Sequence, residues 1–274
     1  MPRTPGGGRR RQPPVLKKFG QHFLTDIKIL TAIVDALAPT SSDTVVEVGP
    51  GRGSLTDILV ERSGKVVAVE IDRALAEGLR EKYHERSNIE IVEADFLETD
   101  LATSLGNDYL LIGNVPYYIT TPIIFKALEP PIPRRSVFLV QREVAERMAA
   151  RPGDEAYGAL TVNVAVVAAV EQVLTVPATA FRPPPKVESA VVRLTPLKNP
   201  LVPHQSLSAM RSFVQAAFGQ RRKQMQRVLR SVRGMSAEQA ADILQESGIE
   251  PTARPEVVSP QEFATLFRLL QKAS

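Results

Sequence analysis

TVVEVGPGRGSLT, residues 44–56, is the stretch that decides the fold. Its first five residues are a β-branched run with one acid, long enough for a strand and too short for a helix. Three glycines then alternate with Pro50 and Arg52 (Gly49, Gly51, Gly53), which lets the backbone turn sharply and approach a ligand closely. Upstream, the spacing of Ile27, Leu30, Ile33, Val34 and Leu37 predicts a helix ending near Pro39. Downstream, short apolar runs recur at 65–71, 88–94, 109–113 and 136–140, separated by helix-like segments such as RALAEGLREKY (73–83). Strands alternating with helices make a parallel sheet covered on both faces. The expected class is therefore α/β, a doubly wound Rossmann-like sheet. LTVNVAVVAAVEQVLTV (160–176) is ambiguous between a strand and a helix running into a strand, and SAVVRL (189–194) can pair with VLTV as a closing hairpin. After Pro196 the pattern is helical only, with capping boxes at Ser236/Gln239 and at Ser259/Glu262, where Pro260 takes the first helical position.

The division expected is a disordered basic tail at 1–16, a sheet domain at 17–198 and a small all-helical domain at 199–274. The tail is too rich in Pro, Gly and Arg to bury anything. No apolar run approaches the ~20 residues that span a bilayer, so a soluble, cytoplasmic protein is expected. The chain has no Cys and three scattered His, which argues against disulfides and a Cys/His metal site; no metal is expected. Charge is uneven. Residues 1–18 carry six basic side chains and no acid, and residues 211–233 carry seven and no acid (Arg211, Arg221, Arg222, Lys223, Arg227, Arg230, Arg233). The rest of the chain has a net charge of −9, against +4 for the whole. Two basic patches on an acidic body suit a polyanion gripped at defined places.

In a doubly wound sheet, ligands sit beyond the carboxyl ends of the strands. Each of the first four strand ends carries a polar group or glycine loop: Gly49 and Gly51, then Glu70, Asp95 and Asn114. The intervals of 21, 25 and 19 residues are each about one strand–helix unit. A dinucleotide site wants GxGxxG, whereas here the third glycine falls one position early and Ser54 takes its expected place. An acid after the second strand suits ribose hydroxyls, and one after the third suits the exocyclic amine of adenine. A nucleoside-bearing ligand without a pyrophosphate fits better, and S-adenosylmethionine is such a ligand.

The fourth strand end reads IGNVPYYIT (112–120). Its two tyrosines either plug a core or wait for something flat. The exocyclic amine of adenine is a poor nucleophile because its lone pair is drawn into the ring, so acceptors that pull it toward tetrahedral geometry serve it better than a base. Asn114 offers a side-chain oxygen and Val115 a carbonyl, which Pro116 holds in an extended orientation. Tyr117 offers a face for a flipped base. Period-two alternation points Tyr118 the other way, into the core.

KKFGQHFL (17–24), VEVGPGRGSLT (46–56), VEID (69–72), EADFL (93–97), GNVPYYI (113–119), QREVAERMAA (141–150), FRPPPKVESAVVRL (181–194) and AAFGQRRK (216–223) together resemble the bacterial small-subunit rRNA adenine dimethyltransferases. The resemblance covers nearly the whole chain from Lys17 onward. It implies a class I methyltransferase sheet that takes S-adenosylmethionine. The activity implied is dimethylation of two adjacent adenosines in the 3′-terminal hairpin of 16S rRNA within the immature small ribosomal subunit. It places the cofactor against His22, Leu24, Gly49, Glu70, Asp95 and Asn114, and sets Phe181 opposite Tyr117 across the target base. Val115 stands where the family more often has Leu; only its backbone is used. The resemblance gives the helical domain, with Arg221, Arg222 and Lys223, a part in gripping RNA. A monomer is expected. The alternative is the large-subunit adenine methyltransferase of the macrolide-resistance type, which shares this chemistry and is disfavoured by FRPPPKVESAVVRL and AAFGQRRK.

Overall fold

A computed structural model describes residues 22–100 and 108–272; the tail expected at 1–16 lies outside them. The described chain opens with the two-residue β1 (Phe23–Leu24) and with α1 (Ile27–Leu37). Asp26 caps α1, its carboxylate accepting from the N–H of Lys28 at 2.9 Å, and the helix stops at Ala38, whose φ of +50° turns the chain just before Pro39.

Alternation then proceeds as the valine runs require: β2 (Thr44–Val48), α2 (Thr56–Arg62), β3 (Lys65–Glu70), α3 (Arg73–Lys82), β4 (Ile89–Glu93), β5 (Leu110–Asn114), α4 (Thr120–Ala127), β6 (Arg135–Gln141) and α5 (Arg142–Ala149). The ambiguous segment resolves into α6 (Ala159–Ala165) followed by β7 (Ala168–Val176). After the two-residue β8 (Phe181–Arg182), β9 (Ser189–Pro196) pairs antiparallel with both β6 and β7. The main sheet runs β4-β3-β2-β5-β6-β9-β7, with the first five strands parallel. Its strands bury both faces. Val45, Val66, Leu110, Ile112, Val137 and Leu139 belong to one apolar cluster, while Val46, Val67, Leu111, Phe138 and Val140 belong to the other.

The order fixes where a ligand goes. From β2 the chain steps outward through β3 to β4, then returns to place β5 on the other side of β2. That reversal leaves a crevice between the carboxyl ends of β2 and β5.

Beyond β9, the described helices are α7 (Leu207–Phe218), α8 (Met225–Arg233), α9 (Ala237–Glu246) and α10 (Pro260–Lys272). Both capping boxes form: the Ser236 hydroxyl accepts from the N–H of Gln239 at 3.1 Å, and the Ser259 hydroxyl from that of Glu262 at 3.2 Å. These helices continue the core of one sheet face, since Phe213, Val214, Phe263 and Phe267 join the cluster that holds Val46 and Phe138. Polar ties reinforce the joint. The Tyr157 hydroxyl donates to the Val258 carbonyl at 2.6 Å, and Arg211 pairs with Glu129 at 2.8 Å.

Candidate active site

The glycine loop after β2 is held by β3 and α3. Gly49, Gly51 and Gly53 all adopt positive φ, at +64°, +59° and +81°. At Gly51 a methyl group would sit 3.1 Å from the Phe23 ring, and its N–H donates to Glu70 Oε2 at 3.0 Å. At Gly53 it would sit 2.7 Å from the Tyr83 hydroxyl, which donates to the Gly53 carbonyl and to Asp57. Only glycine permits this loop to lie so close to its neighbours. The Arg52 guanidinium lies over the Phe23 ring, 4.6 Å from its centroid.

Glu70, at the end of β3, is buried and doubly held, since Oε1 accepts from the N–H of Asp72 at 2.9 Å. Burial pushes its carboxyl above the usual range, against the pull of these two N–H donors. Asp95 follows β4 and accepts from the N–H of Leu97 at 2.8 Å, closing its turn. Lys126 of α4 fixes the same turn by donating to the Leu97 and Thr99 carbonyls at 2.7 and 2.8 Å. Asn114 ends β5, and no group among the described residues hydrogen-bonds its side chain, leaving both amide atoms for a ligand.

These strand ends line one cavity of about 1150 Å³, the open solvent at its mouth included. That is ample for a nucleoside-sized ligand. The cavity touches His22, Leu24, Gly49, Gly51, Glu70, Asp95, Asn114, Val115, Pro116, Tyr117 and Phe181, so the expected cofactor and target-base residues are brought together. Among its described lining residues are three carboxylates, Glu47, Glu70 and Asp95, and no Lys or Arg. A lining without a cation disfavours a pyrophosphate, and its acids suit hydrogen bonds from the hydroxyls and amine of a nucleoside such as that of S-adenosylmethionine. Glu70 would hold its ribose and Asp95 its adenine.

One residue stands differently from the sequence reading, and two others make contacts that it did not foresee. Tyr118 is not in the core: it is 67% exposed and borders the cavity. The period-two argument fails because residues 117–119 form a 3₁₀ turn, in which successive side chains rotate by about 120°. Phe181 borders the cavity but is only 1% exposed, held in β8 opposite Leu24 of β1. The ring that stacks directly with Tyr117 among the described residues is His22, with centroids 6.1 Å apart and planes 26° apart. Arg221 is engaged within the chain, pairing with Glu256 at 3.0 Å and donating to the Glu155 carbonyl at 3.1 Å. Arg222, Lys223, Arg227 and Arg230 are exposed and have no carboxylate partner among the described residues.

Glu47, the one acid of the first strand run, also contributes, as do two residues outside the expected set. Glu47 is buried in β2 and accepts from the Thr56 hydroxyl at 2.6 Å; burial pushes its carboxyl up to about 8. The Ser189 hydroxyl meets that of Tyr117 at 2.7 Å, across 72 residues that no local signal links. Ile71 directly follows the acid of β3, an apolar residue left 54% exposed at the cavity.

A family model described as ribosomal RNA adenine dimethylase matches residues 15–272. A ribosomal RNA small subunit methyltransferase A from Caldanaerobacter subterraneus is 42% identical over 259 residues, covering 93% of this chain and 96% of that one. Another, from Bacillus mycoides, is 40% identical over 264 residues, covering 93% and 90%. Among solved structures, a dimethyladenosine transferase from Plasmodium falciparum superposes with a TM-score of 0.77 at 26% identity, covering 92% of this chain and 98% of that one. The 23S rRNA methyltransferase ErmE gives 0.71 at 32% identity, covering 91% and 99%. With the family model spanning all but the ends, and four strand ends converging on one acidic cavity, the chain belongs to the ribosomal RNA adenine dimethylase family.

Proposed function

We propose that this chain dimethylates the exocyclic amines of two adjacent adenosines in the 3′-terminal hairpin of 16S rRNA, within immature small ribosomal subunits. S-adenosylmethionine is the methyl donor, and the site of action is the cytoplasm, where subunits are assembled. The carrying observation is Asn114, its amide without a partner among the described residues, at the rim of a cavity lined by Glu47, Glu70 and Asp95. Small-subunit specificity is supported by the relatives of that name at 40–42% identity, against 32% for the 23S enzyme. The exposed basic side chains of the helical part suit an RNA partner.

When bound, S-adenosylmethionine supplies an electrophilic methyl group on a positively charged sulfur. The chain's own residues do the rest. Glu70 and Asp95 orient the nucleoside, Glu70 with each carboxylate oxygen accepting from one backbone N–H and Asp95 with one oxygen so held. Asn114 Oδ1 and the Val115 carbonyl accept from the target amine and face the positive charge that develops on its nitrogen. Pro116, at φ −57° and ψ 137°, holds Val115 extended. Tyr117, pinned through Ser189, stacks the base.

Asn114→Ala tests this reading. Turnover on immature subunits is expected to fall about 100-fold or more, the usual cost of removing one preorganised polar group. Affinity for S-adenosylmethionine should change far less. Turnover close to wild type would remove Asn114 from the mechanism.

A further inference from the structure

Tyr118 is out of place for a structural residue. Its ring is 67% exposed, and its hydroxyl has no hydrogen-bond partner among the described residues. Single exposed aromatics are common on protein surfaces. This one, however, stands on the turn that carries the reacting end of the site. The turn is firm: the Pro116 carbonyl accepts from the N–H of Ile119 at 3.1 Å and from the Thr120 hydroxyl at 3.3 Å. Tyr117 is tied to Ser189, so the loop 183–188 is anchored beside the same turn. That loop and the strand before it present Arg182 and Lys186, both exposed and without a carboxylate partner among the described residues. An exposed ring at the rim, together with exposed cations on the segment that Ser189 ties to the same turn, suits single-stranded RNA: a base on the ring and phosphates on the cations.

Resting on the function proposed above, we infer that Tyr118 stacks the nucleobase adjoining the target adenosine. Lifting one base into the site strips its neighbour of a stacking partner. The Tyr118 ring replaces that partner and holds the RNA in register while Tyr117 holds the target. Since the two target adenosines are adjacent, the base on Tyr118 during one of the two modifications is the other adenosine. The tyrosine pair then has two distinct jobs: the half-buried ring grips the base being methylated, and the exposed ring grips the next one.

The test compares wild type with Tyr118→Phe, Tyr118→Leu and Tyr118→Ala in initial-rate methyl transfer to immature small subunits. S-adenosylmethionine affinity is measured in parallel by equilibrium dialysis. Stacking requires an aromatic face and no hydroxyl. Tyr118→Phe should therefore keep kcat/KM for subunits within about twofold, while the Leu and Ala variants should lose about five- to a hundred-fold. Cofactor affinity should stay within about twofold throughout. Equal activity of the Leu and Phe variants would overturn the inference, because bulk alone would then suffice. So would an Ala variant as active as wild type, or cofactor affinity that falls in step with activity, which would make the ring a cover for the cofactor. Absence of transfer by the wild-type protein would instead overturn the underlying function, and the inference with it.

Discussion

Glu47 illustrates how much one buried side chain sets. It lies in β2 with its carboxyl beneath the cavity, close enough to Glu70 and Asp57 for their charges to raise its pKa further. The Thr56 hydroxyl and Lys82 oppose the rise, and burial dominates, giving about 8 against an ordinary 4.5. The unfolded chain therefore releases this proton first as pH rises. The stability it contributes is complete below about 4.5 and is lost progressively as pH climbs toward about 8. Glu47→Gln keeps an acceptor for Thr56 and removes the titration. Melting measured at pH 5 and pH 8 should show a smaller loss of Tm in the variant, by a few degrees, since about 1 kcal/mol moves Tm by ~2–4 °C in a protein of this size. Parallel Tm–pH curves for the two proteins would contradict the assignment. At this scale the sequence was legible where a strand end met a polar residue. Glu70, Asp95 and Asn114 could be placed by interval alone, whereas the tie between Tyr117 and Ser189 depends on a contact that no local pattern encodes.

Elements were readable where periodicity persists over several residues, so most strands of the main sheet follow from the apolar pattern, while 160–176, which divides into α6 and β7, stayed open between strand and helix. Two-residue strands carry no period, and the β1–β8 pair, which sets Leu24 against Phe181, arises only from tertiary closure. The 3₁₀ turn at 117–119 misled for a related reason, because strand alternation was carried on to Tyr118, four residues past the end of β5 at Asn114. The glycine loop lends itself to a paired experiment. Gly53→Ala places a methyl 2.7 Å from the Tyr83 hydroxyl and 3.0 Å from Leu79 at a φ of +81°, so it should destabilise by about 1–3 kcal/mol. Gly78, inside α3, has open space around its Cα, and Gly78→Ala should stabilise by about 0.5–1 kcal/mol. Chemical denaturation of both variants decides. Equal effects of one sign would mean that the loop's backbone conformation carries no special cost.

Across the whole molecule, acids and cations keep to separate surfaces, with acids lining the cavity and exposed cations on the helical part. Composition revealed this asymmetry but not which cations are free. Arg211 is only 18% exposed at its side chain and joins α7 to the end of α4 through Glu129 and the Phe125 ring, while Arg221 pairs with Glu256. Those without a carboxylate partner among the described residues include Arg222, Lys223, Arg227 and Arg230. Charge reversal at Arg222 and Lys223 together should weaken binding to immature subunits. It should also flatten the slope of log affinity against log salt by about 0.7 for each phosphate of single-stranded RNA that is no longer neutralised. An unchanged slope would return these residues to ordinary solvated surface. The central claim concerns which bases are modified. Purified protein with methyl-labelled S-adenosylmethionine is incubated with immature small subunits and, separately, with large-subunit RNA, and the dimethylated adenosines are mapped by primer extension. The account predicts label confined to two adjacent adenosines near the 3′ end of 16S rRNA, whereas label on a 23S adenosine with none on the small subunit would contradict it.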